Sequence, residues 1–269
     1  MTHIVFTAFS NRQDALGLAR DIGSELEQDG ATSSVHLLDG PLLPVLDSTS
    51  LVVSLGGDGT FLRSARLAHG AGARVVAVNL GQVGFLLNVA STEVAAHVRR
   101  ALSSEVVDER LALSITRSGS IAEDFALNEV VVERASPGHM VKVRTYVDGD
   151  EYLTYSADGV MVATATGSTG YNFSAGGPVV EASLALMILT PIAPHFTIDR
   201  SIVVSATSLV RLEVVDNPAE LVADGVSIAT IQPGDGVEVR RNPSPVRVVA
   251  TGSFDLSARL RRSLREGHA

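Results

Sequence analysis

The stretch LVVSLGGDGT, from Leu51 to Thr60, decides how the N-terminal part of the chain folds. Its first five residues have the length and apolar character of a buried strand, and the GGDG that follows is typical of a tight turn. Thr60 is a residue type that caps helices, and we predict a helix over about 61–69. Glycines at such a turn let backbone amides approach a phosphate group without a Cβ in the way.

The elements around this stretch alternate between strands and helices. Strands are predicted at 4–9, 34–38, 51–55 and 75–79, and helices at 13–28 and from Ser91 or Thr92 to about Leu102. This alternation predicts a parallel sheet with helices on its faces. After about Ser103 the chain changes to short runs rich in Val, Ile and Thr with period-two alternation, which predicts a β-sandwich. These runs lie at 111–116, 126–134, 140–147, 151–156, 202–206, 210–215, 219–224, 226–231, 236–241 and 245–250.

We therefore predict an N-terminal Rossmann-like α/β domain over residues 1–103 and a C-terminal β-sandwich domain over 104–254. The last residues, 255–269, carry leucines at 256, 260 and 264, the spacing of one face of a helix. This helix is expected to pack back on the α/β domain.

The composition excludes several classes of function. The 269 residues include no cysteine, which excludes disulfides, thiolate catalysis and cysteine-based zinc sites. A net charge of −9 argues against nonspecific nucleic-acid binding. The N-terminus lacks a signal-peptide pattern, and prolines interrupt the longest apolar stretch, 183–194, so no membrane association is predicted. We expect a cytoplasmic protein.

Asp58 is the charged residue of the glycine turn. A carboxylate beside phosphate groups is repelled unless it orients a hydroxyl or holds a metal, so Asp58 points to chemistry; the alternative is an Asp that only satisfies turn amides. No Gly-Lys-Ser/Thr follows, so the turn is not a Walker A loop. Arg63, one turn into the helix, faces the same loop or is a solvated surface arginine.

A second polar stretch, DGVMVATATGSTGYNFSAGGP, covers residues 158–178. Thr166, Ser168 and Thr169 offer hydroxyls, and Gly170 permits close approach of a ligand. Tyr171 can stack on a planar base. Further predicted features are a carboxamide acceptor at Asp158 and a helix that begins at Ser174. By composition alone this stretch could also be an ordinary surface loop.

Asn128 and Glu129 interrupt an apolar strand, FALNEVVVER. Burying either side chain without a partner costs a few kcal/mol. The pair therefore either binds a ligand or lies on an exposed strand face or bulge.

Together these motifs resemble the NAD kinase family, whose members phosphorylate the 2′-hydroxyl of NAD. GGDGT alone is shared with lipid kinases and, more loosely, with phosphofructokinases, but TGSTGY, SAGGP, VNLGQVGFLLNV (78–89) and PIAPH (191–195) occur here in the family's order. Two positions depart from the family pattern, since Ala165 replaces a usual Pro and Gly170 a usual Ala. Neither change removes a reacting group.

The resemblance implies a role for each candidate residue. Asp58 would be the general base, Asn128 and Glu129 would hold the adenosine part of NAD, and Phe85 would pack on adenine or fill the core. The other residues implied in binding NAD or ATP are Gly57, Gly59, Arg63, His139, Asp158, Thr169, Gly170, Tyr171, Asn172, Ser174 and Asp224, of which Asp224 is equally well explained as a hairpin turn. A divalent cation such as Mg²⁺ would arrive with the phosphoryl donor, so no protein metal site is expected.

The partners implied are NAD and a donor, ATP or polyphosphate, in a homodimer or homotetramer. Two alternatives stay open at this point. One is a lipid or sugar kinase that shares GGDGT, although those families lack the later motifs. The other is a non-catalytic module that senses NAD, against which Asp58 argues, since a pure binder gains nothing from a carboxylate beside phosphates.

Overall fold

The computed structural model describes residues 2–41, 45–80, 89–103, 106–195 and 198–249, with the backbone alone for 89–91. The chain forms two compact units. Unit 1 contains the chain up to Arg110 and from Pro245 onward, and unit 2 runs from Leu111 to Ser244. Phe85 and the predicted helix over 255–269 lie outside the described residues. Within the described ranges no helix is long and apolar enough to cross a membrane.

Unit 1 is an α/β unit, and its elements are numbered in chain order together with those of unit 2. Its helices are α1 (Gln13–Gln28), α2 (Asp58–Ala71) and α3 (Val94–Ser103), the last preceded by a 3₁₀ turn, Ser91–Glu93. Its strands are β1 (His3–Ala8), β2 (Thr32–Leu37), β3 (Leu51–Gly56), β4 (Arg74–Asn79), β5 (Val89–Ala90), β6 (Val107–Arg110) and β19 (Val246–Val249).

The sheet of unit 1 has the strand order β2-β1-β3-β4-β19-β6, with β5 joined to β4. All its pairs are parallel except β19 with β6. Every residue of β3 is buried, as expected for a central strand with helices on both sheet faces. Helices α1 and α3 share one core with β1, β3 and β4. Because these strands run the same way, the turns that follow them meet at one sheet edge, where open α/β sheets bind ligands.

Unit 2 is built almost entirely of strands. Its short helix is α4 (Tyr171–Ser174), preceded by a 3₁₀ turn, Thr166–Thr169. Its strands are β7 (Leu113–Arg117), β8 (Glu123–Ala126), β9 (Glu129–Arg134), β10 (Val141–Val147), β11 (Asp150–Ala157), β12 (Gly159–Thr164), β13 (Leu186–Ile192), β14 (Ile202–Ser205), β15 (Val210–Val214), β16 (Ala219–Ala223), β17 (Val226–Ile231) and β18 (Gly236–Arg241).

These strands form two antiparallel sheets, ordered β11-β10-β15-β18-β7-β8 and β14-β13-β12-β9-β16-β17. Alternate apolar residues of both sheets meet in one core, which includes Val143 and Val239 from the first sheet and Val132 and Val162 from the second. This is a β-sandwich. The predicted fold class, an α/β domain followed by a β-sandwich, is confirmed.

Some elements differ from their predicted positions. Helix α2 begins at Asp58 with Gly57 as its N-cap, so the predicted capping role of Thr60 is wrong, and Thr60 is instead buried in the first turn. Strands β6 and β19 pair in the sheet of unit 1. The sandwich unit therefore runs from Leu111 to Ser244, within the predicted 104–254. Strand β13 lies within the apolar stretch 183–194, for which no strand was predicted.

Candidate functional site

The glycines of the turn between β3 and α2 differ in how closely the rest of the protein packs against them. A Cβ on Gly56 would lie 2.3 Å from Oγ1 of Thr60, so packing within the protein requires this glycine. A Cβ on Gly57 or Gly59 would meet nothing within 4 Å of the described structure. Gly57 has a φ of −101°, which any residue adopts. Contacts with the described residues therefore do not explain glycine at these two positions.

Asp58 is the first residue of α2 and is half-buried. The first N–H groups of a helix have no partner within the helix, and no side chain among the described residues caps α2. This helix end thus offers N–H donors and the positive end of the helix dipole to an anion. Asp58 places a carboxylate at that same point.

Arg63 lies exposed on α2, with its guanidinium carbon 5.2 Å from the centre of the Phe9 ring. Asp39, which follows β2, accepts hydrogen bonds from Oγ and N–H of Ser10 at 2.6 and 3.0 Å. These bonds and, to a smaller extent, the charge of Arg63 lower the pKa of Asp39. Arg63 is therefore a cation at the sheet edge where β1, β2 and β3 end, and its contact with a nucleotide stays a prediction.

In unit 2, the turn between β16 and β17 folds onto the start of β9. Asp224 and Gly225 have φ of +48° and +74°, as in the type I′ turns of two-residue hairpins. The Asp224 carboxylate accepts hydrogen bonds from the N–H groups of three successive residues, Leu127 (2.8 Å), Asn128 (2.7 Å) and Glu129 (3.3 Å). Asp224 thus holds the backbone from which Asn128 and Glu129 project, and a direct ligand contact by Asp224 stays a prediction.

Asn128 and Glu129 are both buried, with 6% and 7% of their surface exposed. Oδ1 of Asn128 and Oε2 of Glu129 have no hydrogen-bond partner among the described residues. Burial and the nearby charge of Asp224 raise the pKa of Glu129 to about 8, against a smaller opposite effect of the Tyr171 N–H. Buried polar atoms are nearly always hydrogen-bonded, so these two point to a ligand or an ordered water. The alternative of an exposed strand face is excluded.

The loop after β12 packs directly against this pair. Oγ1 of Thr164 donates to the Leu127 carbonyl and accepts from the Gly167 N–H. A Cβ on Gly167 would lie 2.2 Å from the Asn128 carbonyl oxygen, so only glycine fits there. A Cβ on Gly170 would lie 3.3 Å from both Nδ2 of Asn128 and Oε2 of Glu129. The polar ends of Asn128 and Glu129 therefore flank Gly170.

Tyr171 follows this loop with its side chain 41% exposed. Burial of the rest of the ring, then the charges of Glu133, Asp158 and Glu129, raise its pKa. Asp158 is half-exposed and forms an ion pair with Arg134 at 3.1 Å. Tyr171 thus lies near both Glu129, which begins β9, and Asp158, whose partner Arg134 ends β9. That these residues form one binding site stays a prediction.

Four other predicted residues lie differently. Asn172 is fully buried, and its amide bonds to Ser168, Pro178 and Thr190, so it ties the loop together. Ser174 ends α4, and the prediction that it begins a helix is wrong. Thr169 is half-buried, with a long 3.5 Å bond to the Thr166 carbonyl. His139 lies in the exposed turn between β9 and β10. Their roles as ligand contacts stay predictions.

Thr166 is a candidate that was not among the predicted binding residues. It is 4% exposed, and its Oγ1 has no hydrogen-bond partner among the described residues. Its signal in the sequence is weak, because a threonine in a Ser/Gly loop is ordinary. Only the close packing of the loop on Asn128 shows that its hydroxyl is enclosed.

The chain matches the family descriptions "ATP-NAD kinase N-terminal domain" over residues 45–106 and "ATP-NAD kinase C-terminal domain" over 127–251. The first match contains the glycine turn, and the second contains Asn128 and Glu129.

The chain belongs to the NAD kinase family.

Relatives support this membership across most of the chain. An NAD kinase of Ruminiclostridium cellulolyticum is 33% identical over 85% of this chain and 82% of its own length. An NAD kinase of Gemmatimonas aurantiaca is 38% identical over 79% and 76%. These matches confirm the predicted family, phosphotransferase activity and NAD kinase function, and they remove the alternative of a lipid or sugar kinase.

Two solved structures share the fold. An NAD kinase from Archaeoglobus fulgidus in complex with ATP has a TM-score of 0.78 at 27% identity, over 97% of this chain and 99% of that one. Yeast NADH kinase complexed with NADH has a TM-score of 0.85, over 100% and 89%, and its 22% identity makes it a likeness of fold alone.

Proposed function

We propose that this enzyme transfers the terminal phosphoryl group of ATP to the 2′-hydroxyl of the adenosine ribose of NAD, and that Asp58 acts on that hydroxyl. The observation that carries the proposal is the pair Gly57 and Gly59. Neither packing against the described residues nor a positive φ calls for glycine there. Both adjoin a helix start that no side chain in the described ranges caps. This combination suits the phosphate groups of a nucleotide.

Unit 2 would supply the recognition of NAD. The enclosed atoms of Asn128, Glu129 and Thr166 lack protein partners among the described residues. The half-exposed ring of Tyr171 is available for stacking on a planar base. Binding NAD would give these buried groups hydrogen-bond partners. Each such group costs about 1–3 kcal/mol of stability when it is left unpaired.

In this reaction the protein forms no covalent bond to either substrate. The ribose oxygen forms a bond to the terminal phosphorus of ATP, the bond from that phosphorus to the bridging oxygen of ADP breaks, and the hydroxyl proton passes to the Asp58 carboxylate. The transition state of phosphoryl transfer is loose, so positioning and charge stabilisation supply most of the rate. The N–H groups at the start of α2 and the guanidinium of Arg63 would bind the phosphate oxygens.

A divalent cation such as Mg²⁺ would neutralise phosphate charge when bound. Within the described ranges no three His, Asp or Glu side chains cluster as metal ligands. The residues present fit a cation that is held mainly by the phosphates, with Asp58 as the carboxylate that the glycine turn can add. Chelation by EDTA should abolish turnover, and excess Mg²⁺ should restore it.

The test is a direct assay. Purified protein is incubated with NAD, ATP and Mg²⁺, and NADP is measured with an NADP-specific dehydrogenase. Replacing ATP with polyphosphate, and NAD with NADH, tests the second donor and the acceptor. Phosphorylation of a lipid or a hexose with none on NAD would overturn the proposal.

A homodimer or homotetramer in the cytoplasm completes the proposal. Edge strands β14 and β17 of the second sheet of unit 2 leave Val203 and Val226 exposed by 52% and 41%. Exposed apolar side chains on edge strands favour pairing with another chain. Light scattering measures the mass in solution, and a fully active monomer would contradict assembly. Cell fractionation tests the location.

A further inference from the structure

Glu129 is a buried carboxyl group without a cationic partner among the described residues. Only 7% of its surface is exposed, and it takes part in no ion pair among the described residues. Its neighbour across the strand start is another carboxyl, Asp224, whose Oδ1 lies 3.3 Å from the Glu129 backbone N–H. Asp224 is half-buried. Its charge disfavours a second charge on the buried Glu129, because like charges in a poorly solvated site repel each other.

The hydrogen bonds decide which of the two carries the charge. Asp224 accepts three backbone N–H groups at 2.7–3.3 Å, an arrangement that stabilises a carboxylate. Glu129 receives the backbone N–H of Tyr171, while its Oε2 has no partner among the described residues. The proton of the pair therefore lies on Glu129.

Resting on the proposed function, we propose that Glu129 meets NAD as a neutral carboxylic acid whose O–H donates a hydrogen bond to an uncharged acceptor of the ligand, and that Asp224 is the positioning residue that keeps it neutral. Such acceptors on NAD are ring nitrogens and hydroxyl oxygens. Oδ1 of Asn128, also enclosed and without a partner among the described residues, offers the complementary acceptor. The pair would thus present one donor and one acceptor side by side.

The other titratable groups near Glu129 do not change this assignment. The pKa of Tyr171, in α4, is raised by burial and then by the charges of Glu133, Asp158 and Glu129. Asp158 is paired with Arg134, which lies at the far end of β9 from Glu129. Burial, then the charge of Asp224, raise the pKa of Glu129 to about 8. The Glu129 carboxyl group is therefore protonated below this pH and becomes a carboxylate as the pH rises through it.

The first test measures the dissociation constant of NAD by calorimetry between about pH 6.5 and pH 9, without ATP. We expect wild-type affinity to be constant at the lower end and to fall by about tenfold per pH unit above the pKa of Glu129. Glu129→Gln, which keeps an N–H donor in the same shape, should bind NAD at least about tenfold more tightly than Glu129→Ala and show no such pH dependence. Equal affinities of the two variants, or wild-type affinity that holds or increases with pH, would overturn the proposal.

The second test observes the proton directly and needs no ligand. Infrared spectra of the free protein at neutral pH should contain a carboxylic-acid C=O band that is missing in Glu129→Gln. In Asp224→Asn this band should titrate at a lower pH than in wild type, whereas Asp148→Asn, at the equivalent position of another Asp-Gly turn, should leave it unchanged. Absence of the band in wild type would refute the neutral acid, and an unshifted titration in Asp224→Asn would refute the role of Asp224.

The two proposals fail in different ways. A wild-type protein that makes no NADP contradicts the proposed function, whatever the carboxyl band shows. A wild-type protein that makes NADP but binds it and NAD with no dependence on the proton of Glu129 contradicts only the neutral acid.

Discussion

Asp224 and Glu129 are joined by two hydrogen bonds that run in opposite directions. The Glu129 N–H donates to the Asp224 carboxylate at 3.3 Å, and the Asp224 N–H donates to the Glu129 carbonyl at 3.0 Å. A hairpin turn almost a hundred residues later in the chain thereby sets the position of the first residue of β9. The residue pair that the sequence marks as unusual in its strand is held by a turn that the sequence presents as ordinary.

We predict that Asp224→Asn raises the KM for NAD by about tenfold or more, because the amide cannot accept from all three N–H groups and Asn128 and Glu129 lose their positions. The matched control is Asp148→Asn. Asp148 occupies the same place in an Asp-Gly turn (φ +54°), and its carboxylate accepts the Leu209 N–H. Both variants should lose some thermal stability, but only Asp224→Asn should change KM. Equal KM values in the two variants would contradict this.

A second prediction concerns Gly59. In Gly59→Ala the new Cβ meets no atom of the described residues within 4 Å, so stability should rise by up to about 1 kcal/mol through helix propensity. If phosphate groups approach there, kcat/KM should fall by about tenfold or more. Gly70→Ala, in the same helix and equally free of contacts, should gain stability with no loss of activity. Gly59→Ala that is both more stable and fully active would show that no ligand approaches this glycine.

Stability should depend on pH through Glu129. Its pKa is raised from an ordinary value of 4.5 to about 8, so between these values the folded protein holds a proton that the unfolded chain has released. Each rise in pH within this window therefore disfavours the folded state. The free energy of unfolding of wild type minus that of Glu129→Gln should fall across the window, by on the order of 3–5 kcal/mol. Chemical denaturation at several pH values measures it, and a constant difference would contradict the raised pKa.

Much of the fold follows from local sequence. Helix α1 has the predicted bounds 13–28, because its apolar residues recur at helical spacing, and β3 and its turn follow from one apolar run and its glycines. The place of β6 and β19 in the sheet of unit 1 does not follow from local sequence. Strand β19 resembles the sandwich strands in composition, whereas β6, with the sequence VDER, was not predicted as a strand. Only long-range pairing assigns both to the sheet of unit 1.

The candidate site was predicted only in part, because some of its contacts join residues that are far apart in sequence. Asn128 and Glu129 stand out because polar residues in an apolar strand need a partner. The role of Asp224 depends on hydrogen bonds to residues far away in sequence, which no local pattern encodes. Asn172 shows the converse, since a polar residue in a polar loop gives no sign that it is fully buried.

The measurement that tests the account most directly is the activity of Asp58→Asn, which keeps the shape of the side chain and removes its charge. Steady-state kinetics give kcat for NADP formation, and calorimetry gives the dissociation constant for NAD. We predict a loss of about 10²–10⁴-fold in kcat with NAD affinity changed by less than about threefold. If Asp58→Asn keeps more than about a tenth of the wild-type kcat, Asp58 is a turn residue and the central claim is wrong.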